Sequence, residues 1–481
     1  MQVARVFQWV LLGFLSLGFL AMVAGSGSMA FSSSPTEGSV GEVWSDALDE
    51  MPDATEPQEY SDFDYSHFVD DPSPEILDQF SDSNAFLASS GLLMVIGIFG
   101  FVLMTAAVAE RPSGRFAGLT VGGTLAMVGV AFWLFGFNTA YPGDFALGGL
   151  LPAGVGGPVL IETNSPGLDY GMGMTMVTDF FYQMLFAMTA ALMVLGLAAG
   201  RYRTPTVVLT ATAVGMFGFP LAACWLWGAG WLSSMNALDF AGSAMIHTLA
   251  GGAALALVVL ARLCPAHGPG ARLDRPPALR PDRRRKLKVW EVAIYVIGLL
   301  VFLMLVGGAN AGSVLSDDIP VVAAVLNNTL AAVGGGLAVA AIVSIFLARR
   351  SRWVIAGIGT LAGWAAICAP ADCATVQQAA GIGAVAGGLA ALVAWAMDLG
   401  RFDDPMGVIP ISLVGGAVGV LSVGLFYEDG GFLPQVMLLL ATSVLGFTLA
   451  ASIGLLTWLC GILWDGNEPV AKTEVATPSA G

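Results

Sequence analysis

Beyond residue 83 the chain alternates long apolar runs with short polar breaks, and Lys and Arg fall in every second break only. A helix needs about 20 predominantly apolar residues to cross a bilayer. Eleven runs are of that order: near 84–108, 116–138, 176–199, 205–226, 239–261, 289–313, 319–348, 353–369, 376–398, 407–427 and 433–464. Arg111 and Arg115 follow the first run, Arg201 and Arg203 the third, and Arg262 through Lys288 fill the break after the fifth. Arg349, Arg350 and Arg352 follow the seventh, Arg401 the ninth and Lys472 the last. The breaks after even runs carry acids instead: Asp144, Glu162, Asp169, Asp317, Asp318, Asp372, Glu428 and Asp429. A miscount by one run would scramble this segregation downstream of the error. Lys and Arg mark the cytoplasmic side. The sequence therefore predicts an all-α polytopic membrane protein with eleven transmembrane helices, N-terminus outside and C-terminus inside.

Composition agrees. Hydrophobic residues make up 56% of the chain and charged residues 11%, against about 25% charged in soluble domains. The 62 glycines suit close helix–helix approach in lipid, where small residues let backbones meet. The basic break from Arg262 to Lys288 divides the first ten runs into two groups of five. Its cluster Arg283-Arg284-Arg285-Lys286 reads either as a topogenic linker or as a contact for lipid headgroups or protein. Ala241-Gly242-Ser243 opens the fifth run and Ala311-Gly312-Ser313 closes the sixth. An odd number of helices per half gives the halves opposite orientations. The expected architecture is thus two inverted five-helix repeats plus a last long helix, with the pathway near the midplane between repeats.

The net charge of −16 is concentrated in one segment. Fifteen acidic residues and no Lys or Arg lie between Glu37 and Asp82, the pattern of a solvated tail. Asp62, Asp64, Ser66 and Asp70 resemble part of a calcium loop, but the turn glycine and the bidentate Glu are missing. Upstream, Arg5, an apolar stretch from Phe7 to Ala24 and small residues up to Ala30 have a signal-peptide layout, with an uncleaved anchor as the alternative. The expected organisation is a signal peptide at 1–30, an acidic extracytoplasmic segment at 31–83, a membrane domain at 84–464 and a short cytoplasmic tail at 465–481. The membrane would be the cell's inner, or plasma, membrane, with its lipids as partners. Five scattered cysteines show no metal spacing, although Cys368 and Cys373 flank Pro370 closely enough to suggest a disulfide. No phosphate loop, metal cluster or nucleophile–base pair is visible, so neither an enzyme, a cofactor nor a nucleic-acid partner is expected.

Of three histidines, His67 lies in the acidic leader and His267 in the basic break; His247 alone falls at bilayer depth. An ionisable side chain there is costly and marks either a functional site or a histidine that bridges helices. Asp239 opens the same run, where a carboxylate would cap the orphan N–H groups of the first turn. His247 follows eight residues on, about 12 Å deeper along a helix axis.

The stretch Trp227 to His247 resembles the fifth-helix signature of the ammonium transporter (Amt/Rh/methylammonium permease) family. Further stretches are similar to that family: Tyr182-Gln183-Met184-Leu185-Phe186-Ala187, Asn310-Ala311-Gly312-Ser313, Asn328-Thr329, Phe402-Asp403-Asp404-Pro405 and Val414-Gly415-Gly416. The resemblance covers roughly residues 84–464. It implies an outer site of Phe186, Trp227 and Ser313 that recruits ammonium, where two aromatic faces attract a small cation and a hydroxyl accepts a hydrogen bond. Without it, both aromatics would read as packing residues. The resemblance gives Asp239 a structural and electrostatic role beneath that site. It makes His247 one half of a pore histidine pair that carries ammonia or its proton, and it implies a homotrimer with one pore per subunit.

Three positions depart from the family pattern. Ser412 stands where the partner histidine belongs, Ala309 where the inner gating phenylalanine belongs, and Pro410 enters a stretch where the family usually has glycine. The pore is then either wider and wetter, with a water linking Ser412 to His247, or filled by neighbouring residues. The tail from Trp464 to Gly481 lacks the family's Gly- and acid-containing regulatory stretch, so regulation by a PII-type protein is not expected. Ammonium/ammonia transport is the leading expectation, and a non-conducting ammonium-binding or sensing relative the alternative.

Overall fold

The computed structural model describes residues 74–109, 114–154, 157–159, 174–200, 202, 204–264, 287–347, 350–427 and 431–460. The signal-peptide reading, the calcium-like aspartates, most of the acidic segment, the cluster Arg283 to Lys286 and the C-terminal tail lie outside these residues.

Among the described residues eleven helices follow one another: α1 (Pro74–Val108), α2 (Gly114–Ala131, continuing to Ala140), α3 (Met176–Leu195), α4 (Thr204–Ala213, continuing to Trp225) and α5 (Ser243–Thr248 and Leu249–Leu263). After the basic break come α6 (Val289–Gly312), α7 (Ile319–Leu347), α8 (Arg352–Ile367), α9 (Val376–Gly400), α10 (Ile409–Val414 and Gly415–Phe426) and α11 (Phe432–Leu459). Ten are long and apolar enough to cross a membrane, and α8, at 16 residues, is shorter. The all-α expectation gains one exception, a two-residue antiparallel ribbon of β1 (Phe145–Ala146) with β2 (Leu151–Pro152). Helix α1 begins at Pro74, earlier than the apolar pattern places it, so the end of the acidic segment is already helical.

Local chemistry sets the helix ends. Thr175 accepts the Thr178 N–H at the start of α3, and Thr375 and Gln378 form a reciprocal capping box on α9. Arg401 ends α9 in a left-handed conformation, φ 58°. Helix α1 packs along α6, and α7 lies between α8 and α9. Helix α5 is the most enclosed of the set and α7 the most exposed. Outward residues such as Phe99, Leu119, Leu330 and Phe346 are those expected of a lipid-facing surface.

Contacts between the breaks sort into two faces. Tyr202, after α3, donates to the Asp403 carbonyl after α9. Arg350, after α7, pairs with Asp398 at 2.6 Å and donates to the Asp404 and Pro405 carbonyls. At the opposite face the Trp231 N–H donates to the Gly149 carbonyl, and the Phe240 and Ala241 N–H groups donate to Ala369 and Cys368. Ser83, near the start of α1, donates to Asp317 between α6 and α7. Breaks after odd helices thus meet one another, as do breaks after even helices, which is the pattern the basic residues follow. The five cysteines are free. Cys368 donates to Asn310 Oδ1 and the Trp364 carbonyl while Cys373 turns to the Pro370 carbonyl, so the suggested disulfide is absent.

Candidate functional site: an outer aromatic pair above a buried histidine

Helices α5 and α10 open in the same unusual way. Asp239, 4% exposed, accepts the N–H groups of Gly242 and Ser243 on Oδ1 and those of Ala244 and Met245 on Oδ2, all at 2.8–3.1 Å. Asp404, fully buried, accepts Gly407 and Val408 on Oδ1 and Ile409 on Oδ2, at 2.8–2.9 Å. Three residues after each aspartate stands a glycine in the left-handed region, Gly242 at φ 99° and Gly407 at φ 78°, a conformation that a side chain disfavours. A π-helical turn follows each glycine, Ser243–Thr248 in one half and Ile409–Val414 in the other. Such turns occur mostly at functional sites. His247 is the eighth residue after Asp239 and Ser412 the eighth after Asp404. The two therefore occupy equivalent stations, each eight residues after a capping aspartate.

Asp239 acts as an N-cap, as expected, and it is a fourfold one. Its carbonyl also accepts the Trp227 indole N–H at 2.8 Å, which fixes that ring over the mouth of α5. Phe186, from α3, lies edge-to-face with Trp227 at 5.8 Å between centroids. Tyr182, one turn earlier, packs edge-on against Phe186 at 5.1 Å and donates its hydroxyl to the Ala309 carbonyl at 2.5 Å. Ser313 Oγ donates to the same carbonyl at 2.8 Å, which leaves its oxygen lone pairs as acceptors. Phe186, Trp227 and Ser313 are thus brought together through Tyr182 and Ala309. Trp227 and Ser313 are partly exposed, Phe186 is buried, and Phe219 closes the far side of Trp227 at 6.1 Å.

Deeper in the protein, His247 is fully buried, and neither of its ring nitrogens has a hydrogen-bond partner among the described residues. Gly416, one turn beyond Ser412, lies so close that a Cβ there would sit 3.1 Å from His247 Cβ. The Ser412 hydroxyl is also buried without a partner. Sequence reasoning missed the third component. Trp364 of α8 meets His247 edge-to-face with centroids 4.5 Å apart and Phe302 of α6 at 5.4 Å. Its indole is fully buried and its Nε1–H lacks a partner among the described residues. An indole thus lies directly against the His247 ring. Nothing local in the α8 sequence marks Trp364, since a tryptophan in an apolar run is ordinarily packing.

Helix α8 is clamped to the start of α5. Ser243 Oγ donates to the Ala365 carbonyl at 2.7 Å and accepts the Ala369 N–H at 2.8 Å. Asn310 Nδ2 donates to Thr329, and Asn328 Nδ2 to the Ala371 and Ala374 carbonyls. The two asparagine motifs therefore hold α6, α7 and the turn after α8 together, as structural members around the site. No group of three or more His, Cys, Asp or Glu side chains suited to a metal occurs among the described residues.

Comparison with known proteins gives a consistent result. The chain is 32% identical over 356 residues to a putative ammonium transporter, sll1017, of Synechocystis, covering 72% of this chain and 75% of that protein. It is 31% identical over 311 residues to ammonium transporter Amt2 of Archaeoglobus fulgidus, covering 60% of this chain and 64% of the relative. Among solved structures, its fold is similar to that of a sensor Amt protein, with TM-score 0.67, 22% identity and coverage of 82% of this chain and 99% of the other. It is similar also to Mep2 of Candida albicans, with TM-score 0.66, 21% identity and coverage of 79% and 85%. Residues 84–464 match the Ammonium Transporter Family, and that stretch holds the aromatic pair, both aspartate caps and His247, so this multi-pass membrane protein belongs to the ammonium transporter family.

Proposed function

We propose that the chain carries ammonium/ammonia across a membrane through a pore in each subunit. A cation is recruited between the faces of Phe186 and Trp227 with Ser313 as acceptor, and the transported species then passes His247. The observation that carries this reading is the bond from Trp227 to the Asp239 carbonyl. One residue thereby orients the recruiting ring and caps the turn that presents His247. Ring quadrupoles suit such a site because they attract a small cation without a full counter-charge that would trap it. The relatives are transporters rather than enzymes, and we read this chain likewise.

The proposal extends to topology and assembly. Eleven crossings, with N-terminus out and C-terminus in, put the Arg350 face in the cytoplasm and the Asp317 face outside. The protein would be a homotrimer in the inner membrane with a cleaved leader. The deciding experiment is current measurement on solid-supported membranes with purified, reconstituted protein, using an ammonium jump and potassium as control. An ammonium-evoked signal is expected, and its absence overturns conduction.

A second reading, a non-conducting ammonium-binding or sensing relative, is favoured by one observation: Trp364 packs directly on His247. Calorimetric ammonium binding in a protein that gives no current would establish it.

A further inference from the structure

Four fully buried polar atoms lie on three helix segments that pack against one another. They are His247 Nδ1 and Nε2 from α5, Ser412 Oγ from α10 and Trp364 Nε1 from α8, and none has a hydrogen-bond partner among the described residues. Helix α8 packs on the π-turn that carries Ser412, and that turn packs on the one that carries His247. Buried polar groups are normally satisfied, and each exception asks for an explanation. Here the unsatisfied set has a composition. A neutral imidazole accepts on one nitrogen and donates from the other, a hydroxyl does both, and the indole can only donate.

We propose that Trp364 is the specificity-determining residue of this pore. Its indole fills the middle of the pathway, and its N–H makes the central position a site for a molecule that carries a lone pair. Ammonia offers one acceptor lone pair and three donors, which match one indole N–H together with imidazole and hydroxyl acceptors. Ammonium and potassium have no lone pair, and each would meet the positive end of an N–H dipole in an apolar surround, where a misdirected dipole is poorly screened. Trp364 thus supplies by a different chemistry the discrimination that a second imidazole at position 412 would give. Ser412 adds an acceptor on the π-turn that packs against α8, and Phe302 meets the indole edge-to-face. This inference rests on the transport reading above.

The test compares reconstituted wild type with Trp364→Phe, which keeps a ring and removes the N–H, and Trp364→Ala, which empties the site. Responses to ammonium and potassium jumps are recorded from preparations checked as single species, with Trp364→Leu replacing the alanine variant where that does not purify. Wild type should respond to ammonium and not to potassium. The phenylalanine variant should lose about tenfold of the ammonium response while still excluding potassium, and the alanine variant should admit potassium. A phenylalanine variant with the full ammonium response, beside an alanine variant that still excludes potassium, reduces Trp364 to packing and overturns the proposal. A silent wild type defeats the transport reading instead. The alanine variant then decides separately: a potassium current keeps Trp364 as the element that closes the pore, and silence overturns that too.

Discussion

Met245 and Pro410 occupy the same station in the two repeats, each the sixth residue after its capping aspartate. The Met245 N–H is the fourth bond to Asp239, whereas Pro410 has no N–H to give and Asp404 holds three. Proline is therefore tolerated at this station because it falls inside a capped first turn. Met245→Pro should destabilise by about 1.5–3 kcal/mol, the value of a hydrogen bond to a charged group. Pro410→Ala, which can add such a bond, should shift stability much less. Thermal unfolding in detergent compares the two, and equal losses would contradict the equivalence.

Asp239→Asn replaces one carboxylate oxygen by an NH2 donor that faces the N–H groups now held by that oxygen. At least two buried donors are then left unmet, at about 1–3 kcal/mol each. Lower thermal stability together with weaker ammonium binding is expected, because the Trp227 anchor moves with the turn. Unchanged binding in a destabilised variant would confine Asp239 to folding.

Trp227→Leu and Ser313→Ala should each weaken apparent ammonium affinity. A desolvated cation–π contact is worth about 2 kcal/mol, so the tryptophan variant should lose tenfold or more. Concentration dependence of the evoked current measures it. Normal affinity in both variants would leave these residues as packing.

Ser412→His alone should not restore a histidine pair, because the indole of Trp364 already lies against His247. Inserting a larger side chain into a filled core costs typically about 1–3 kcal/mol. The double variant Ser412→His/Trp364→Leu should be the more stable of the two and carry the stronger ammonium response. The opposite order would mean that position 412 does not share the volume of Trp364.

Topology can be read with a thiol reagent that does not cross membranes. A cysteine at Asp317 should label from outside and one at Arg284 should not. Native Cys373 is exposed, so it is first replaced by serine to remove its background. The reverse labelling pattern would sink the eleven-crossing arrangement.

Much of this protein is legible without coordinates, because lipid constrains it strongly. Run length and basic residues report the helices, since every backbone polar group in a bilayer has to be met within a helix. Asp239 reads as a cap because capping is local. Phe186, Trp227 and Ser313 become legible only through their family register, as three separate helices supply them. The first turns of α1 escape notice because Asp78 and Asp82 break the apolar pattern, although Ser83 ties them to Asp317. Trp364 escapes for a related reason: its meaning depends on which helix α8 faces, a long-range fact that α8 itself does not encode.

The Ser243 clamp on α8 bears on the timing of the passage proposed above. With Ala365 and Ala369 both bound to one hydroxyl at the head of α5, the backbone that carries Trp364 cannot slide past the backbone that carries His247. Any motion that parts the two rings is then a rotation about the tryptophan's own side-chain bonds. Collective helix displacements take about microseconds to milliseconds. Under the transport reading proposed above, passage at this level would be timed by a single side chain, molecule by molecule, rather than by an alternation of the whole subunit between two shapes.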